Sequence, residues 1–487
     1  MDVRVGLDFG THQTKVCMNF KKQGQRPEFE FINFGTNDKI NFFLPSKVNV
    51  HQDKTISIGN STEPCKSYQY FKIASAEDKQ FRGISGIKGK THYDLSRYDH
   101  LSPEVLSVIY LAHTLGTLKS NFEKNHAIKK LDIDSSSYIG QFLGGSEKLQ
   151  PKNSSSFNYF YQIGIPTEWS SRDNTWRRRK FEQILYLANT LISTLGLSLL
   201  KELKINKVLE VVEFNNEILR REMKYNAWNE FRENLNLSAF PETAAGLTYL
   251  VKTGKIPEGY YLAVDIGGGS SDISFFRVNS NKTFEYLASE SLLIACNDIY
   301  DYYTRYNPDI TSTENAQKYL EDLPKNQIDI DGLYKKAFKQ TIQRLNTKIK
   351  KVYNQRVYWH FQRTVANKRF SEQSCFLYGG GSLIHTPSSG IGKMMEEILL
   401  HNQGTESITA SETYAIIDRI TEIDPPHKIE PNSWKQHLPL LIVPLGLSFM
   451  QPDEVYDWDY TEYKAGEGEY HLDEYPEFFD IFKRQWV

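Results

Sequence analysis

Two stretches of this 487-residue chain repeat one device, and the repeat limits what it can fold into. VGLDFGTHQTKVC at residues 5–17 and LAVDIGGGSSDIS at 262–274 align with Asp8 over Asp265, Gly10 over Gly267, Lys15 over Asp272 and Val16 over Ile273. Each reads as a β-branched or aromatic strand, a turn of glycine and hydroxyl residues, and a return strand, so an internal duplication of a hairpin is expected. Glycines in such a turn let backbone amides approach a phosphate closely and take backbone angles that other residues resist. An aspartate ending the incoming strand cannot usefully touch phosphate oxygens, but it can hold the water shell of a magnesium ion that does. Two such loops facing one another would clamp a polyphosphate, with a metal between Asp8 and Asp265.

Three further stretches keep the same order along the chain. CFLYGGGSLI at 375–384 runs a buried strand into glycines, FPETAAGLTYL at 240–250 joins an extended start to a helix, and FLPSKV at 43–48 follows the first hairpin. Together these resemble the phosphate-1, connecting and phosphate-2 segments and the adenosine motif of the actin-like ATPase superfamily, which includes actin, DnaK-type heat-shock chaperones, plasmid-segregation actins and sugar kinases. The resemblance implies an α/β fold of two lobes, each a ribonuclease-H-like domain, closing on ATP or ADP with Mg²⁺. It assigns Asp8 and Asp265 to the hydrated metal and to catalysis, and Glu242 to positioning the attacking water. Lys72 falls where the chaperones keep a lysine for the γ-phosphate. Phosphate contacts are implied for Gly10, Thr11, His12, Gln13, Lys15, Gly267, Gly268, Gly269 and Ser270. The nucleoside side is implied for Lys318, Gly379, Gly380, Gly381 and Ser382.

The chain also departs from the chaperones. Their Glu-Pro-Thr order is Pro241-Glu242-Thr243 here, and a one-residue slip on a helix can turn a carboxylate from the cleft. Lys15 stands where actins and segregation actins, not DnaK-type chaperones, place a phosphate-binding lysine. Lys15 and Asp272 hold equivalent places in the two loops, so one is expected to face phosphate and the other the metal shell or the partner loop.

The chain divides by this reading into a first lobe at 1–235, a second at 236–450 and a tail at 451–487. Ser102-Pro103-Glu104 reads as the opening of a helix whose apolar stripe runs to about Lys119, and a Ser/Asn/Lys/Gly-rich insertion is expected near 120–158. Residues 332–371 carry 11 lysines and arginines, none acidic, with interleaved aromatics. Nucleic acid could bind the basic stretch 335–369 through phosphates and stacking. The preferred account is a helix with aromatics toward the core and lysines toward water. The tail is acidic and aromatic, and reads as a docking segment, a self-inhibitory strip on the basic stretch, or surface padding.

A formal net charge of −2 argues against global attraction to nucleic acid or acidic membranes. The longest strongly apolar run, 438–447, is too short to span a bilayer, and no signal peptide is expected ahead of the first strand. Four scattered cysteines suit a reducing cytoplasm. Gly392-Lys393 lacks the hydroxyl of a P-loop, and the histidines show no zinc spacing. The expected function is a chaperone-like, ATP-driven conformational switch without a peptide-binding domain, acting on an unidentified protein partner. The alternative is a self-associating actin-like filament. A sugar or small-molecule kinase would need a base over an acceptor hydroxyl, for which there is no motif.

Overall fold

The computed structural model describes residues 1–21, 27–35, 40–76, 101–134, 157–170, 175–196, 204–225, 235–252, 256–310, 315–316, 319, 332–352, 355, 375–380, 440–450 and 457–458. Strands β1 (Asp2–Phe9) and β2 (Gln13–Phe20) form the first hairpin, flanked by β3 (Glu28–Phe31) and the two-residue β4 (Leu44–Pro45). A separate antiparallel sheet follows from β5 (Lys47–His51), β6 (Ile56–Ile58) and β7 (Cys65–Gln69). Strands β8 (Asn158–Ile165) and β9 (Leu237–Pro241) add in parallel beside β1, giving the order β3-β2-β1-β8-β9. The second hairpin is β10 (Gly259–Ile266) with β11 (Ser271–Val278), extended by antiparallel β12 (Phe284–Leu292) and parallel β13 (Cys375–Tyr378). β14 (Asp457–Trp458) runs parallel along β12. Strand directions from β12 to β13 repeat those from β3 to β8, so the two sheets share one local topology.

The helices are α1 (Phe71–Ala76), α2 (Pro103–Asp134), α3 (Thr175–Leu195), α4 (Ile205–Tyr225), α5 (Glu242–Lys252), α6 (Cys296–Tyr306), α7 (Gly332–Val352) and α8 (440–447). Alternation along the strands decides the layers, because successive side chains point to opposite faces. Val3, Val5, Leu7 and Phe9 of β1 pack into one core with α1 to α4. Tyr260, Leu262, Val264 and Ile266 of β10 pack into another with α6 and α7. The remaining faces share a third core, in which Cys17, Phe31, Tyr261, Ala263 and Phe276 enclose α5 and α8. The layers therefore run helices, sheet, two helices, sheet, helices.

The middle layer fits by close backbone approach. A Cβ on Gly6 of β1 would collide with the Pro444 carbonyl, and one on Gly446 of α8 with the Ala245 carbonyl of α5. Phe9 stacks on Phe71 and Tyr110 at ring separations of 6.0 and 5.7 Å, and burial of each such ring stabilises by about 1.5–3 kcal/mol.

One expectation is corrected. α2 runs on to Asp134 instead of ending near Lys119, because Phe122 and His126 continue its packing: Phe122 is fully buried and His126 lies edge-on to Phe20 at 4.9 Å. The stretch expected as an insertion from residue 120 therefore begins as helix, and 135–156 lie outside the described residues. β3 ends at Phe31, and Asn33 beyond it turns to accept the amides of Gly35 and Asn41. In the basic stretch, Ala337, Thr341, Ile342, Leu345, Ile349 and Val352 form the buried face of α7, while Lys336, Lys339 and Lys351 are exposed. Its interleaved aromatics fall where no side chain is described.

Candidate functional site

The hairpin registers place the paired residues opposite one another: Asp8 faces Lys15 across β1 and β2, and Asp265 faces Asp272 across β10 and β11. Each turn is pinned from outside. In the first, the Ser46 hydroxyl donates to the Gly10 carbonyl at 2.7 Å and the Ser46 amide to the His12 carbonyl at 2.9 Å. The second is also closed within itself, the Gly267 amide donating to the Ser270 carbonyl at 2.9 Å. The first amides of α6, from Cys296 and Asn297, donate to the Gly267 and Gly268 carbonyls at 3.2 and 2.9 Å. The loops abut, since a Cβ on Gly268 would stand 2.8 Å from the His12 side chain.

Between them lies a cavity of about 250 Å³. From the first hairpin it is lined by Asp8, Gly10, Thr11, His12, Gln13 and Lys15, and from the second by Asp265, Gly267, Gly268, Ser270 and Asp272. Lys72 and Glu242 close one side, and Gly379 and Gly380 border it after β13. Gly269 is buried and is not among the residues that line the cavity. Gly379 has φ +80°, and a Cβ there would collide with the Asp265 carboxylate and the Ile266 carbonyl. Lys318, Gly381 and Ser382 lie outside the described residues.

Glu242 opens α5, and the altered Pro-Glu-Thr order leaves its carboxylate facing the cavity. Its Oε1 accepts from Lys72 Nζ at 2.6 Å, and both side chains are buried. The Lys72 ammonium also sits over the Phe9 ring, 5.8 Å from its centre. This lysine is therefore no solvated surface group. Lys15 Nζ donates to Asp8 Oδ2 at 2.7 Å. Asp272 accepts a short hydrogen bond from the Ser291 hydroxyl, and the Ser291 amide donates to Glu168 at 2.7 Å.

Four carboxylates thus share the cavity with two ammonium groups. Burial first, and this imbalance second, set the protonation of these groups. Burial, then the charges of Glu242 and Asp8, push the Asp265 carboxyl up to about 7 against the pull of Lys15 and Lys72. Burial, then Glu242, raises Asp272 well above the usual carboxylate range. Burial also raises Glu242, opposed by Lys72. Burial alone would lower Lys15, but the Asp8 charge and hydrogen bond outweigh it and hold the lysine above its ordinary value. A cation entering here would relieve the surplus negative charge.

The carboxylates of Asp8 and Asp265 are oxygen donors of the kind that could hold magnesium through its waters. Asp8, Asp265, Asp272 and Glu242 bring carboxylate oxygens to the cavity beside His12 and Cys296, and no three metal-binding side chains cluster among the described residues. No protein-family model and no curated protein matches this sequence. Geometry and chemistry carry the functional reading.

Sequence reasoning missed part of the wall. Cys296, Asn297 and Tyr300 reach the cavity because α6 starts on the second turn, and Leu440 and Val443 because α8 lies between the sheets. No local motif marks these positions. The hairpin alignment put Lys15 and Asp272 in equivalent places, and both line the cavity.

Proposed function

We propose that the chain is a Mg²⁺-dependent ATPase with the two-lobed fold of the actin-like superfamily, working as a nucleotide-driven conformational switch. One observation carries the reading: two hairpins of the same register present their turns to one cavity, with a buried Lys72–Glu242 pair beside them. In this reading, turn amides and the Thr11 and Ser270 hydroxyls bind phosphate oxygens, and Lys15 offsets their charge. Asp8 and Asp265 would hold Mg²⁺ through its waters. The ion would offset charge on the phosphate oxygens. Lys72 fixes the Glu242 carboxylate, which orients a water and accepts its proton; a raised carboxyl pKa makes a better base near neutrality. Gly379, packed without a side chain against the Asp265 carboxylate, would border the nucleoside together with Gly380. Because α5 and α8 pack between both sheets, closure of the sheets on nucleotide would be felt at outer surfaces, where a partner protein could read it.

A second reading, a filament of the actin type, is favoured by Lys15 in the cavity. The test is ATP binding and turnover by purified protein across a concentration series, with light scattering and with Asp8→Ala and Asp265→Ala controls. Turnover proportional to protein and lost in both variants, without scattering, supports the switch. Cooperative turnover with ATP-dependent scattering supports the filament, and no binding by the wild-type chain removes both.

A further inference from the structure

The solvent face of α7 is a stripe of lysines with nothing described to neutralise it. Lys336, Lys339, Gln343, Thr347, Lys350 and Lys351 fall on one side of the helix, opposite the buried face. None of Lys336, Lys339, Lys350 and Lys351 has an ion-pair partner among the described residues, and Arg344 beside them is engaged by Asp298 at 3.0 Å. The sequence from 332 to 371 holds no acidic residue, and the nearest in sequence are Asp329 and Asp331 before α7 and Glu372 after the stretch.

The tail has the opposite character. Residues 451–487 hold 11 acidic and 3 basic side chains, with 10 aromatics among them. Its path is fixed at one point: β14 pairs with Glu285 and Tyr286 of β12, the edge of the sheet whose outer core α7 helps to close. From Trp458 the remaining 29 residues can span up to about 95 Å, whereas α7 is only about 32 Å long.

We propose that the tail of this same chain, residues 459–487, lies along the basic face of α7 and screens it from other polyanions. Each exposed lysine–carboxylate pair is weak. Tethering supplies what single pairs lack, because the anchored tail presents its carboxylates at a local concentration on the order of millimolar. The contact is electrostatic and is lost as salt rises. This assignment does not depend on the nucleotide reading.

Zero-length carbodiimide crosslinking of the unmodified full chain, with mass-spectrometric mapping, tests the contact directly. Bridges from Glu462, Glu467, Glu469, Asp473, Glu474 or Glu477 to Lys336, Lys339, Lys350 or Lys351 are expected in the monomeric product. Bridges that miss α7, or that occur only between two chains, overturn the proposal. A second measurement uses a fluorescent 20-nucleotide oligo-dT as the polyanion. Changing those six tail acids to Gln or Asn in the full chain should raise its affinity about tenfold or more at 50 mM salt, with the gain gone by about 0.5 M. Adding Lys336→Glu, Lys339→Glu and Lys351→Glu should cancel the gain. Affinity unchanged by tail neutralisation overturns the proposal.

Discussion

The Nζ of Lys72 stands 2.6 Å from Oε1 of Glu242, 170 residues further along the chain, with both side chains almost wholly removed from solvent. The pair joins α1 of one sheet system to the first residue of α5 in the middle layer. Removing one partner leaves the other charge buried, so Lys72→Ala should cost about 3–5 kcal/mol in denaturant unfolding. Lys72→Met with Glu242→Leu should recover most of that loss while leaving ATP turnover abolished. A double variant that still turned over ATP would remove the pair from the catalytic proposal.

Asp265 gives a pH signature in stability. Its carboxyl titrates near 7 in the folded chain against an ordinary value of 3.8, so the folded state holds this proton more tightly than the unfolded state. The stability linked to it is fully present below the ordinary value and is lost as pH rises, completely so above about 7. Asp265→Asn cannot lose a proton. It should therefore be more stable than the parent at pH 8.5, by on the order of 2 kcal/mol once partial exposure to the cavity is discounted, and the gap should narrow by pH 5.5. Thermal scans at the two pH values measure it, and a gap that widened toward acid would contradict the assignment.

Metal binding should report the same proton. If Mg²⁺ displaces it, affinity for Mg·ATP falls as pH drops below 7, by up to tenfold per pH unit, and levels off above. Asp8, Glu242, Lys15 and Lys72 face the same space and set where the break occurs. Calorimetry in two buffers of different ionisation enthalpy should detect proton release near pH 6.5. Removing Mg²⁺ with EDTA should abolish that release, and an unaltered proton count would sink the link.

Gly379 lies in the left-handed region at φ +80°, against the Asp265 carboxylate. Gly379→Ala should cost about 1–3 kcal/mol in backbone strain and displace Asp265 as well. Nucleotide affinity, read by equilibrium dialysis, should fall at least tenfold. Retained affinity would place the nucleoside elsewhere.

Gly446 tests the middle layer apart from the cavity, since its missing side chain is what lets α8 meet the Ala245 carbonyl of α5. Gly446→Val should destabilise by about 1–3 kcal/mol or more through overpacking. A drop in melting temperature is the expected readout, and an unchanged one would mean that the two helices do not meet there.

The sequence by itself determined the local units. Alternation and turn chemistry gave both hairpins, and their alignment set Asp8 over Asp265 and Lys15 over Asp272, because period and turn type are properties of short stretches. It also marked the helix start at Ser102, whose hydroxyl accepts the Val105 amide at 3.2 Å. The tertiary structure decided what those units face. Whether Lys72 was a surface lysine or a buried partner of Glu242 depended on packing between segments 170 residues apart, which no local period encodes. The same is true of α6, whose first amides reach the second turn, and of α8, which enters the cavity wall through contacts at Gly6 and Gly446. The burial of Asp265, and after it the nearby charges of Glu242 and Asp8, raise its proton affinity, and both exist only once the two hairpins share one low-dielectric space.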